Sequence, residues 1–135
     1  MIDPSLPLQS AIVAALKASA AVTALVDDRI WDDVPDRPQF PYISLGPDDP
    51  MDDHDTCIGG ADTTMQVNVW SRAVGRVEAK QVVAAVIAAL DAPLIVTGHN
   101  VNGHRVERSF VQRDQAEPRT KHGVVVMGYL TTPST

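Results

Sequence analysis

The stretch TTMQVNVWSRAVGRVEAKQVVAAVIAAL, Thr63 to Leu90, changes its hydrophobic period once, and that change decides the fold. From Thr63 to Trp70 the period is two: Met65, Val67 and Val69 fall on one side, Thr64, Gln66 and Asn68 on the other. That is the pattern of a strand with one face buried and one polar. Ser71 to Gly75 interrupts it, and from Arg76 to Leu90 the period becomes helical, with Ala79, Val82, Val83, Val86, Ile87 and Leu90 on one stripe and Pro93 beyond the end. A half-buried strand running into a one-sided helix predicts a helix laid on one face of a sheet.

Towards the N-terminus, Leu8, Ile12, Val13 and Leu16 share a helical face among Ala11, Ala14 and Ala15, which predicts a helix over Leu6 to Leu16 with Ser5 as its cap and Pro7 in its first turn. Ala20 to Val26 reads as a second short helix ending at Asp27-Asp28, followed by an extended Arg29-Ile30-Trp31. Pro35, Pro38 and Pro41 forbid a helix and lead into a short strand, Tyr42 to Leu45, which Gly46-Pro47 ends or bends. The run from Asp48 to Gly60, DDPMDDHDTCIGG, combines turn residues with like charges and is expected to form an exposed loop.

Towards the C-terminus, strands are expected at Leu94-Ile95-Val96 and Arg105 to Arg113, with a turn-rich Thr97 to His104 between them and a turn at Ala116 to Arg119. Gly123 to Leu130 is apolar on both sides, so it belongs inside the sheet, paired with Arg105 to Arg113, and Thr131 to Thr135 is expected to fray. The elements do not alternate regularly, which gives an α+β class: an antiparallel sheet covered on one face by two main helices, in a single domain over residues 1–135.

A chain of 135 residues can bury about two-thirds of its unfolded surface, and with only two Trp, two Tyr and two Phe the core must be aliphatic. The lone Cys57 cannot form an internal disulfide, which fits a reducing compartment. Met1-Ile2-Asp3-Pro4 has no basic region and Leu8 to Leu25 is broken by polar residues, so neither a signal peptide nor a membrane span is expected. The net charge of −6 disfavours a groove that grips phosphate backbones.

Asp48, Asp49, Asp52, Asp53, His54 and Asp55 concentrate hard oxygen ligands, yet they lack the alternating ligands and closing Glu of an EF-hand. The run reads instead as a solvated or partner-facing segment, with nothing apolar around it to separate carboxylate pKa values for acid–base work. His99 and His104 are spaced for a metal to bridge across a turn, but no Cys or carboxylate beside them completes a zinc set. Cys57 with a histidine would imitate a thiol nucleophile and base, but Cys57 has no following helix to lower its pKa. Gly59-Gly60 and Gly98 to Gly103 carry no phosphate-cradling pattern. The residues thus point to no catalytic, cofactor or metal site.

Charge is distributed unevenly. From Asp27 to Asp62, eleven acids (Asp27, Asp28, Asp32, Asp33, Asp36, Asp48, Asp49, Asp52, Asp53, Asp55 and Asp62) face only Arg29 and Arg37. Arg105, Arg108, Arg113, Arg119 and Lys121 gather in the last third, without the interleaved aromatics of a nucleic-acid surface. A bipolar surface favours head-to-tail contacts, which close into a ring when the rotation permits.

The chain resembles the phage tail-completion, or tail terminator, family, whose members include those of gene transfer agents. The resemblance rests on Leu8-Gln9-Ser10-Ala11, on Leu25 to Trp31, on Pro41 to Gly46, on Val67 to Ser71 leading into the Gly75 to Leu90 helix, and on His122-Gly123 before the last strand. It implies an α+β subunit of a hexameric ring that stops tail-tube polymerisation, with the major tail tube protein and a neck or head-completion protein as partners. It also implies a virion location after assembly in the bacterial cytoplasm, and DNA passing through the ring without specific binding. No membrane, cofactor or catalytic residue is implied. A head–tail (neck) adaptor is the nearest alternative and a small metal-dependent hydrolase a distant one. In a ring, Asp48, Asp49, Asp52, Asp53 and Asp55 would either line the opening or reach a neighbour, and Arg105, Arg108 and Arg113 would serve contacts between subunits.

Overall fold

The computed structural model describes residues 1–53 and 59–134. Three helices, α1 (Ser5–Ala18), α2 (Ala20–Val26) and α3 (Val77–Leu90), combine with five strands, β1 (Ile30–Trp31), β2 (Tyr42–Asp52), β3 (Ala61–Ser71), β4 (His99–Arg113) and β5 (Lys121–Pro133). The strands form one sheet in the order β1-β2-β3-β5-β4. All pairs are antiparallel except the two-residue β1, which runs parallel to β2 through Ile30↔Ile43 and Trp31↔Ser44.

The α+β reading holds. The alternation in Thr63 to Trp70 becomes β3, whose Met65, Val67 and Val69 are buried. β5 lies between β3 and β4 as its two-sided apolarity requires: Val125, Met127 and Tyr129 enter the helix-covered core, while Val124 and Val126 face the other way. The helices contribute Leu8, Ile12 and Leu16 from α1, Val22 and Val26 from α2, and Val82, Val83, Val86 and Leu90 from α3 to the same core. Each fully buried side chain of this kind contributes about 1.5–3 kcal/mol. α2 is therefore a structural member and not a mere turn. It bends from α1 by 82° at Ser19, and no single described helix is long and apolar enough to cross a membrane.

Four expectations are corrected. Asp3, not Ser5, serves the start of α1: its Oδ1 accepts the Ser5 N–H at 2.8 Å, and Ser5 is already helical. Leu94 to Val96 is not a strand; only Val96 bridges to His99, around a turn at Gly98, whose φ is +79°. The stretch from His99 onward, read as turns, is instead the start of β4, with bulges between Val101 and Gly103 and between Val106 and Arg108. Finally, Thr131 to Pro133 belongs to β5, because β3 and β4 both reach that far: Thr131 pairs with Ala61 on one side and Val101 on the other.

Candidate interaction surface

The acidic run is where structure and sequence reading differ most. Gly46-Pro47 makes a bulge and does not end the strand: Gly46 takes φ +100°, and the register shifts between Leu45 and Asp48. The Asn68 amide, reaching across from β3, donates to the Gly46 carbonyl at 2.6 Å. β2 then resumes, with Asp48↔Met65, Asp49↔Thr64 and Asp52↔Ala61. Asp48, Asp49 and Asp52 thus stand on a strand and not on a loop, held by ladder bonds to β3 that no local pattern encodes.

Asp48 is half-buried and one of its carboxylate oxygens is buried without a hydrogen-bond partner. Burial raises its pKa, and the charges of Asp32 and Asp3 raise it further. Asp49 and Asp52 are exposed, with the terminal amino group of Met1 at 3.5 Å from Asp52. Asp53 follows the strand and donates its N–H to the Gly60 carbonyl at 3.0 Å. Asp55, His54 and Cys57, and with them the thiol–histidine reading, lie outside the described residues.

Arg105, Arg108 and Arg113 all stand on β4, at the opposite edge of the sheet from the acidic β1–β2 side. They differ in availability. Arg105 is engaged by Glu107 at 2.6 Å and Asp62 at 3.5 Å. Arg108 lies over the Phe110 ring, 4.7 Å from its centroid, a cation–π contact. Arg113 lines a cleft of about 750 Å³ together with Val74, Gly75, Arg76, Pro118, Arg119 and Lys121. There the Lys121 ammonium donates to the carbonyls of Ala73 and Arg119, each at 2.9 Å, and Arg119 pairs with Glu117 at 3.0 Å. The hydrogen bonds from Arg119 hold the Glu117 carboxyl down at about 2.

Arg76 was not singled out by the sequence reading. Its signal was a cation at the N-cap position of α3, where the helix dipole favours acids.

The sheet face away from the helices carries a second feature that one-dimensional reading missed. Trp31, Tyr42, Trp70 and His122, from β1, β2, β3 and β5, form a row of rings with successive centroids 5.5, 6.3 and 3.9 Å apart. His122 lies flat on Trp70 and meets Asn68 Oδ1 through Nε2 at 2.8 Å, and burial lowers its pKa. The Trp70 indole N–H donates to Ser44 at 2.9 Å. Arg72 extends the row by lying over Phe40 at 4.4 Å. The cation that meets this row is thus Arg72, while among the basic residues of the last third Arg108 meets Phe110 of its own strand.

The two histidines weighed as ligands are separated in role. His104 meets the Asp91 carbonyl at 2.6 Å and lies beside Tyr129, while His99 Nδ1 is buried without a partner. Among the described residues no group of three His, Cys, Asp or Glu side chains is placed to hold a metal ion.

Comparison with known proteins gives this geometry a family. No curated protein matches the chain. Among solved structures, a chain in the virion of a native gene transfer agent particle is similar over 97% of this chain and 98% of its own, with 30% identity and a TM-score of 0.87. The gp17 protein of bacteriophage SPP1 is similar over 97% of this chain and 93% of its own, with 25% identity and a TM-score of 0.64. Residues 10–131 match the family of tail completion protein gp17, and the chain belongs to that phage tail-completion family.

Proposed function

We propose that the chain is a non-enzymatic structural subunit that assembles head to tail into a ring, hexameric by the family resemblance, which terminates the tail tube of a phage-like particle. The observation that carries this reading is the polarity of the sheet. One flank, β1–β2, presents Asp32, Asp33, Asp48 and Asp49, and the other, β4, presents Arg108 and Arg113. Opposite charges on opposite flanks cannot satisfy each other within one copy. They favour a heterologous contact, the geometry that closes into rings, and they steer subunits into register. Asp48 adds weight, because its partnerless oxygen and opposed charge are relieved when a cation arrives from outside.

The ring would bind a tail tube protein on one side and a neck or head-completion protein on the other. DNA would pass through it without being held, since a net charge of −6 repels phosphates over roughly the 8 Å screening length at physiological salt. The likeness to a virion chain of a gene transfer agent supports a virion location. Light scattering on the purified chain, with negative-stain imaging, tests the proposal: closed rings at low salt that loosen as salt rises are expected. A chain that stays monomeric at every concentration and salt, and does not cap purified tail tubes, overturns it.

A further inference from the structure

The basic cleft beside the start of α3 is more specific than a charged edge. Arg76 and Arg113 line it and have no acidic partner among the described residues. Lys121 is fixed there by two carbonyls, which orient its ammonium but leave its charge uncancelled. Arg76 supplies no side-chain cap to α3, whose first turn sets only Glu78 against the positive end of the helix dipole. Beside these cations stand Val74, 98% exposed, and Val77, 68% exposed. A phosphate backbone gains nothing from two valines, whereas a peptide carrying both acids and apolar groups uses the whole site.

Such a peptide exists on the same chain. Asp32-Asp33-Val34-Pro35-Asp36 follows β1, its three acids are exposed, and none has a cationic partner among the described residues. Pro35, with Pro38 beyond it, limits the conformations the segment loses on binding. β1 and β4 are the outer strands of a five-strand sheet. Among the described residues no ion pair joins Asp32, Asp33 or Asp36 to Arg76 or Arg113 within one copy, which leaves both sets of charges for a neighbour. Ordinary strand addition along β4 is the less suited contact, because the two bulges and the charges on that edge discourage it.

We infer that the Asp32–Asp36 segment of one copy docks into the Arg76–Arg113 cleft of the next, as the acidic plug of each head-to-tail contact. This rests on the ring reading and specifies which surfaces meet. Sedimentation velocity on the full chain tests it with three variants: cleft reversal (R76E/R113E), segment reversal (D32R/D33R/D36R), and both together. Each one-sided reversal is expected to weaken self-association about tenfold or more, and the doubly reversed chain to recover most of it. The conservative R76K/R113K variant keeps wild-type association, and unchanged circular dichroism confirms that all variants fold. If the wild type associates but either one-sided reversal does not weaken it, or the double reversal fails to recover, the plug is wrong and the ring reading survives. If cleft reversal removes DNA binding and leaves association intact, the cleft serves nucleic acid and the inference falls. A wild type that never self-associates removes the ring reading itself.

Discussion

The seat of α3 on the sheet is set by one missing side chain, and Gly123→Ala tests it. Gly123 lies on β5 opposite Val69 of β3. A Cβ at this position would stand 2.7 Å from Val83 Cγ2, 3.1 Å from Val69 Cβ and 3.6 Å from Val111 Cγ2. Two effects oppose each other. Replacing Gly by Ala in a strand reduces the freedom of the unfolded chain and favours folding by about 0.4–1 kcal/mol. Overpacking a filled core costs about 1–3 kcal/mol.

Overpacking wins here because neither neighbour can yield. Val69 Cβ is bonded directly to the backbone of β3, which is held on both sides by β2 and β5, and Val83 is β-branched on a helix, where one χ1 rotamer dominates. The expected net loss is about 1–2 kcal/mol, a fall in Tm of about 4–8 °C. Val83→Ala alone removes two methyl groups and should cost about 1.6 kcal/mol. In the double variant the new methyl enters the space that Val83 vacates, so its loss should stay near that of one single variant instead of their sum. Urea denaturation of the four chains, with unchanged m-values, measures this cycle. A Gly123→Ala chain as stable as the wild type, or strictly additive losses, refutes the account of how α3 is seated.

Three further outcomes follow from the same structure. Asp48→Asn should raise the melting temperature at neutral pH. The raised pKa of Asp48 means that the folded state binds its proton more tightly, so this contribution is full below the unfolded carboxylate value and lost as pH rises through the folded one. The two melting curves should therefore converge in acid, and an Asn variant that is less stable at neutral pH would contradict the reading. His122 carries the opposite sign: with its pKa lowered by burial, stability is full above the unfolded value near 6.5 and falls as pH drops through it towards the folded value. NMR titration should find the ring protonating below 6.5, and a His122→Gln chain should lack that part of the slope; protonation at or above 6.5 would refute it. Ser19→Ala removes the hydroxyl that accepts the Val22 N–H at 3.2 Å, and should cost about 1 kcal/mol in chemical denaturation unless that cap contributes nothing.

The parts of this fold that were legible in the sequence are those in which one segment carries its own evidence. β3 and α3 announce themselves by period, and β5 by being apolar on both sides, because burial on one face or two leaves a mark on every second or every fourth residue. β2 carries no such mark beyond Leu45: its second half is held by pairing with β3 across a bulge, and a run of aspartates gives no local sign of that. The ring row had the same invisibility, since Trp31, Tyr42, Trp70 and His122 become neighbours only through strand order.

The charge imbalance was legible as runs, but it became a statement about assembly only when topology put the two signs on opposite flanks. Two positions run against local rules, Asp48 with no donor for its buried oxygen and Arg76 with only Glu78 in the first turn of α3 to offset it. Asp48 holds a carboxylate oxygen out of water without a donor, on a strand crowded with its own charge sign. Arg76 places a cation where the α3 dipole is already positive. Conflicts of this kind tend to mark sites that act outside the single fold. These two have opposite signs, so a head-to-tail contact between copies would offer each a partner of the charge it lacks. For Arg76 the charge-reversal experiment separates assembly from mere tolerance: a cation that is only tolerated would not be rescued by reversing the Asp32–Asp36 segment of its neighbour.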